Sequence, residues 1–81
     1  MANPGTKNKL PVKMSYKRLW KMLIDKNMNK TDLRKKSGIS SSSLAKLSKD
    51  ENVTTDVLLK VCWALDCRIE DVVEIREQSE G

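Results

Sequence analysis

The side chains best suited to polar recognition lie in the segment GISSSSLAKLSKD, residues 38–50 of this 81-residue chain. Four consecutive serines, Ser40–Ser43, supply hydroxyl groups that can donate or accept hydrogen bonds. Leu44 and Leu47 follow three positions apart and indicate one apolar face of a short helix. Serine is also among the best helix N-caps, and Ser40 is the candidate cap. The segment therefore predicts a helix whose polar first turn is pressed against another surface.

Residue types that support catalysis or metal binding are scarce. The chain has no histidine, and its two cysteines, Cys62 and Cys67, are too few ligands for a tetrahedral metal site. Both occupy apolar positions of a helical pattern, which favours reduced core residues over the alternative of a redox pair. A phosphate-cradling glycine loop is also missing, and so short a chain has little volume for a pocket. We expect no enzyme activity, metal, cofactor or small-molecule ligand.

Charge is segregated along the chain. Residues 1–49 carry thirteen Lys or Arg against two Asp, whereas residues 50–81 carry three Lys or Arg against nine acidic residues. A basic half of this strength favours a polyanionic partner, and the acidic half is expected to face away from it. The alternative is that the lysines only solvate the surface.

Membrane association is not expected from the sequence. No apolar run approaches the roughly 20 residues that a membrane span needs. The first residues, MANPGTKNKLPVK, lack the apolar block of a signal peptide. We therefore expect a cytoplasmic protein.

Hydrophobic periodicity divides the chain into three parts. Residues 1–14 contain two prolines and no periodicity, which predicts a flexible basic arm. Residues 15–75 follow helical patterns and are predicted to form one domain. Residues 76–81 are predicted to be a tail.

Two neighbouring helices have clear boundaries in the sequence. Asn29, with Asp32 three residues later, resembles a capping box for a helix over residues 30–37. Gly38 can adopt the left-handed conformation that ends such a helix. The next helix, about residues 41–49, follows the Ser40 cap.

Three further helices complete the prediction. Tyr16, Leu19, Trp20 and Leu23 follow the i, i+3, i+4, i+7 pattern of a first helix over about residues 16–26. Thr54 can cap a fourth helix that ends at Asp66. A short fifth helix is expected from the apolar spacing of Ile69, Val72 and Val73.

The second and third helices, joined by a three-residue turn, match a helix-turn-helix unit. Together with the five-helix order and the ending LLKVCWALDCRIEDVV, residues 16–75 resemble the lambda-repressor-like, Cro-type (XRE-type) helix-turn-helix regulators of bacteria and phages. The resemblance is to small single-domain members. It implies an all-α fold of five helices and a sequence-specific DNA-binding transcription regulator. Double-stranded DNA is the implied partner, and members often bind two half-sites as homodimers.

The resemblance also implies which residues contact DNA. The helix over Ser41–Lys49 is expected to enter the major groove, while the preceding helix lies across the phosphates. For each serine the alternative role is a cap or solvated surface, and Lys46 can reach either guanine or a phosphate. The expected base contacts are Ser41, Ser42, Ala45 and Lys46, and the expected phosphate contacts are Lys30, Lys35, Ser43 and Lys49.

Several positions depart from the family pattern. Many members have Gln at the position of Lys30 and long amides or Arg at Ser41 and Ser42, so base selectivity here is expected to be modest or to depend on water and DNA shape. Many members also pair an Arg with a Glu at the positions of Leu23 and Ser48. Because both charges are absent together, apolar packing is expected in place of a buried ion pair.

An apolar pair on the fourth helix suggests a partner surface. Leu59 and Trp63 are four residues apart and lie away from the inward face centred on Val61. Dimerisation through this pair is one interpretation, and cover by the arm or the tail is the other. A rival function follows from this surface: a protein-interaction module that has kept the fold and lost DNA readout.

Overall fold

The computed structural model describes residues 11–77, which form four α-helices, a 3-10 turn and a two-stranded antiparallel sheet. No helix within residues 11–77 is long and apolar enough to cross a membrane. In chain order the elements are β1 (Val12–Ser15), α1 (Lys17–Asp25), α2 (Lys30–Ser37), α3 (Ser41–Ser48), α4 (Thr55–Leu65), the 3-10 turn (Ile69–Asp71) and β2 (Glu74–Glu77).

The boundaries of α2 follow from its capping residues. The Asn29 side chain accepts a hydrogen bond from the Asp32 N–H at 2.8 Å, and the Asp32 carboxylate accepts one from the Asn29 N–H at 3.0 Å. This reciprocal capping box satisfies two backbone donors that the first turn leaves unpaired. Gly38 ends the helix with φ +80°, a conformation that a side chain would strain. The predicted capping box and C-cap are confirmed.

One apolar core lies between the helices. Helix α2 packs against both α3 and α4. It contributes a single fully buried leucine, Leu33, whose burial stabilises the fold by about 1.5–3 kcal/mol. Helix α4 contributes the largest share because one whole face of it points inward. The core residues are Tyr16, Leu19, Leu23, Leu33, Ile39, Leu47, Val57, Leu58, Val61, Leu65 and Val72.

The predicted fifth helix is wrong, and the fold has four helices and a small sheet. Residues Ile69–Asp71 make only one 3-10 turn, after which the chain extends into β2. Val72 is buried as expected, but the β-branched residues around it also suit an extended chain. Pairing with β1 satisfies the backbone groups of residues 74–77 that face the partner strand, which favours the extended conformation over a helix there.

Strand β1 begins within residues 1–14, the segment predicted to be a flexible arm, and ends at Ser15. Residues 12–15 pair with residues 77–74, with Lys13 opposite Arg76 and Met14 opposite Ile75. Three residues of the predicted arm, 12–14, are therefore paired in the sheet. Residues 1–10 of the predicted arm and residues 78–81 of the predicted tail lie outside the described residues.

Tyr16 connects the start of α1 to the loop after α3. Its side chain is fully buried, and its hydroxyl donates a hydrogen bond to the Glu51 carbonyl oxygen at 2.8 Å. Its backbone N–H donates to Asp50 Oδ1 at 3.0 Å. Asp50 adopts φ +58°, in the left-handed region that Asp tolerates better than most residues. Asp50 thus forms the turn after α3 without a glycine and also fixes it to α1.

The two cysteines are free and half-buried near the end of α4. Burial is the main reason that the pKa of Cys62 is raised and that the pKa of Cys67 is raised to about 11. Reactive cysteines need a lowered pKa, because the thiolate is the nucleophile. The raised values favour a packing role for both side chains.

We predict that Tyr16→Phe lowers the free energy of unfolding by about 1 kcal/mol at pH 7, because one buried hydrogen bond is lost. Burial, with a smaller contribution from Asp50, raises the pKa of Tyr16 in the folded protein. Above pH 10 or so the unfolded tyrosine ionises first, so the wild type loses this part of its stability and the difference shrinks. Urea unfolding of both proteins from pH 7 to 11 measures the effect; a difference that grows with pH would contradict it.

Candidate nucleic-acid interface

The first turn of α3 is a hydroxyl-lined surface fixed by Ser40. The Ser40 hydroxyl accepts a hydrogen bond from the Ser43 N–H at 3.1 Å, which confirms it as the N-cap. The Ser40 and Ser42 hydroxyls lie 3.2 Å apart, and Ser40 also donates to the Ser43 hydroxyl at 3.1 Å. Ser41 and Ser42 are exposed, whereas Ser43 is half-buried. The helix therefore presents short polar groups at an exposed N-terminus.

The rotation of α3 about its own axis follows from two leucines. Leu47 is fully buried and Leu44 is half-buried against the core. At 100° per residue, the side of the helix opposite these leucines is the side of residues 42, 45, 46 and 49. Structure and geometry agree, since all four of these residues are exposed. One solvent-facing surface of α3 therefore carries three of the four predicted base contacts, Ser42, Ala45 and Lys46, together with Lys49. Ser41 lies beside this surface.

Lys30 is held between α1 and α3 rather than extending freely into solvent. Its Nζ donates a hydrogen bond to Ser48 Oγ at 3.1 Å. The same ammonium lies 4.4 Å from the centroid of the Trp20 ring, which is a cation–π contact. These contacts fix a positive charge near the first turn of α2, in which the Asp32 N–H is already bonded to the Asn29 side chain. Such a helix start attracts anions.

Sequence reasoning missed the Lys30 contacts, although it identified the position of Ser48. Apolar packing was expected at Leu23 and Ser48 in place of the ion pair of other family members, and Leu23 is buried. Ser48, however, accepts the hydrogen bond from Lys30. A Trp in α1 with a Lys ten residues later is too common a pattern to have indicated the contact.

The remaining cations of α2 and α3 are available to an external anion. Among residues 11–77 the salt bridges are Arg18–Glu74, Lys60–Asp56 and Arg68–Glu70, and none involves α2 or α3. Lys35 is exposed five positions after Lys30, on another side of α2. The structure therefore brings Lys30 close to the end of α3 and places Lys35 apart from it.

The outer face of α4 carries a separate apolar surface. Leu59 is 63% exposed and Trp63 is 76% exposed. Neither is covered by any part of the chain within residues 11–77. The predicted partner surface is thus accessible, and it lies on a different helix from the serines of α3.

Comparison with known proteins gives the chain a family context. Residues 18–78 match the family model described as the Cro/C1-type HTH DNA-binding domain. The crystal structure of the transcriptional regulator VanUg, form II, is similar in both fold and sequence. The TM-score is 0.83 at 41% identity, and the match covers 90% of this chain and 97% of that one. No curated protein sequence matches the chain.

We predict that Ser40→Ala destabilises the protein by about 1 kcal/mol because α3 loses its cap. Ser42→Ala is the matched control, since an exposed alanine inside the helix is at least as favourable as serine. Urea unfolding followed by circular dichroism gives both free energies. Equal stability of the two variants would show that Ser40 does not cap α3 in solution.

Proposed function

Because the chain belongs to the Cro/C1-type helix-turn-helix DNA-binding domain family, we propose that it is a sequence-specific transcription regulator that inserts α3 into the major groove. The observation that carries the proposal is the exposed, hydroxyl-lined N-terminus of α3, with the cation Lys30 of α2 held at the other end of the same helix. The family consists of DNA-binding domains rather than enzymes, in agreement with the expected lack of catalysis. We propose that this protein acts in the cytoplasm, as a regulator of bacterial, phage or mobile-element type.

Base readout is assigned to the solvent-facing surface of α3. Ser41 and Ser42 can donate to or accept from base edges, and their short side chains let the helix end approach the bases closely. Ala45 can contact a thymine methyl group, and Lys46 can donate to the acceptors of guanine. Lys46 is the single member of this set that can be a bidentate reader, at guanine. Modest intrinsic selectivity, with contributions from water and DNA shape, follows from that composition.

Phosphate contacts are assigned to residues around the same surface. Lys30 and the N-terminus of α2 form the strongest candidate, because a fixed ammonium and the positive end of the helix dipole act together. Ser43 and Lys49 flank the base-reading surface at opposite ends of α3, and Lys35 adds charge along α2. Such contacts set the register on DNA and make affinity depend on salt.

A homodimer is the further assembly that we propose. Leu59 and Trp63 form an exposed apolar pair outside the DNA-binding surface, and burying both against a second copy would remove them from water. A two-fold dimer would then place two α3 helices on half-sites about 10 base pairs apart.

A protein-interaction module is the second candidate function, and the same apolar pair favours it. In this case Trp63→Ala would abolish activity and Lys30→Ala would have little effect. The two functions differ in which surface is essential, so variants of the two surfaces distinguish them.

We predict that Ser41→Ala, Ser42→Ala and Lys46→Ala together reduce the preference for a selected duplex over random DNA roughly tenfold or more, because base contacts are lost. The selected duplex comes from rounds of enrichment on a random pool with the wild type. Electrophoretic mobility shifts at fixed salt measure both affinities. Lys35→Ala is the control and should weaken binding to both duplexes alike. An unchanged preference in the triple variant would refute the assigned readout.

We predict that Trp63→Ala converts the protein from dimer to monomer, because the largest exposed apolar side chain is removed. Sedimentation velocity across a concentration series measures the mass. Lys60→Ala on the same helix should leave the mass unchanged. A wild type that remains monomeric at all concentrations, free and on a two-half-site duplex, would contradict the dimer.

A further inference from the structure

A cleft of about 450 Å³ lies between the sheet, the start of α1 and the end of α3. Its walls carry Lys13 and Arg76 from the two strands and Lys17 from α1. Trp20 and Ser48 form the wall toward α2. None of these five residues belongs to the base-reading surface of α3. The cleft is therefore a separate cationic feature that involves the sheet.

The sheet brings two like charges together in this cleft. Lys13 and Arg76 are direct cross-strand partners, so their side chains lie on the same face of the sheet. Like charges at such positions destabilise a strand pair. Within residues 11–77 neither of them forms a salt bridge, nor does Lys17. An anion bound between the strands and α1 would relieve this repulsion.

The carboxylates at the cleft limit the charge of the anion. Asp50 and Glu77 also line it. The Asp50 carboxylate accepts the hydrogen bond from the Tyr16 N–H and is held by it. Three cations therefore face two carboxylates, an excess of one positive charge. This balance suits a singly charged phosphodiester better than a multiply charged anion.

The cleft is continuous with the proposed phosphate site of α2. Lys30 donates to Ser48 and lies over Trp20, and these two residues are the wall that the sites share. A polyanion with regularly spaced single charges can occupy both sites at once. Duplex DNA, with a charge every 3.4 Å of axis on each strand, has that form.

We propose that this cleft binds a DNA backbone phosphate beside the one contacted by Lys30, so that the sheet extends the footprint beyond the helix-turn-helix. The inference rests on the proposed function. Lys13 and Arg76 donate charge-assisted hydrogen bonds to the phosphate oxygens, and Lys17 closes the cleft from α1. These contacts add affinity and register but no base selectivity.

The test uses the double variant Lys13→Gln and Arg76→Gln with the selected duplex. Fluorescence anisotropy should show roughly tenfold weaker binding, and the plot of log affinity against log salt should be shallower by about 0.9 for one lost phosphate contact. The preference over random DNA should not change. The control, Lys60→Gln with Arg68→Gln, also removes two cations, neither of which lines the cleft, and should leave the slope within error.

Duplexes in which one phosphate at a time is an uncharged methylphosphonate locate the contact. The Lys30→Gln variant should be insensitive to the methylphosphonate that replaces the phosphate contacted by Lys30. At a neighbouring position the wild type should lose affinity and the double variant should not. Neutralising the phosphate has no further effect once its protein partners are removed, because the two losses are not additive. Urea unfolding checks the fold; removal of the like charges should not lower stability.

The failure of this inference and that of the proposed function are distinguishable. If the wild type binds the selected duplex specifically and the double variant keeps its slope and methylphosphonate profile, the cleft assignment is wrong and the proposed function stands. If the wild type prefers no duplex, both fail. If the double variant loses as much affinity for polyglutamate as for DNA, the cleft is a general anion site and the DNA assignment is overturned.

Discussion

The orientation of α3 depends on how little of it is buried. Leu47 is its one fully buried side chain and Leu44 is half-buried, so these two contacts determine which side of the helix faces solvent. Gly38 sets the direction in which the chain leaves α2 and enters α3. Its left-handed conformation ends α2, and the next residue, Ile39, is buried in the core. The serines of the first turn can therefore be short and polar without any cost in packing. The buried leucines and the proposed recognition surface lie on opposite sides of one eight-residue helix.

The distribution of charge complements this geometry. Cations of α2 and α3 form no salt bridges within residues 11–77, so their field is directed at an external partner. Lys30 differs from the others because Ser48 and Trp20 hold it in place, which reduces the entropy lost when it contacts an anion. In the proposed complex, the other lysines of α2 and α3 supply long-range attraction and Lys30 sets the register. The short hydroxyls on α3 would then leave much of the discrimination to DNA shape and water.

The parts of the fold that depend on local chemistry were predictable from the sequence. The caps at Asn29, Ser40 and Thr54 set helix starts through hydrogen bonds to residues three positions away, and such signals are visible in the sequence. The sheet was not predictable, because each strand has four residues and its partner is some 60 positions distant. The same limit applies to Lys30, whose partners come from two other helices. The family resemblance identified the exposed surface of α3 from the sequence, but nothing in the sequence indicated the cleft.

We propose above all that the solvent-facing side of α3 is the surface that meets DNA. Titration of isotope-labelled protein with the selected duplex, followed by two-dimensional NMR, tests it residue by residue. The account predicts the largest amide shift changes over residues 40–46 and at the start of α2, including Lys30. Shift changes confined to the outer face of α4, with the signals of Ser41, Ser42 and Lys46 unmoved at saturating DNA, would contradict it.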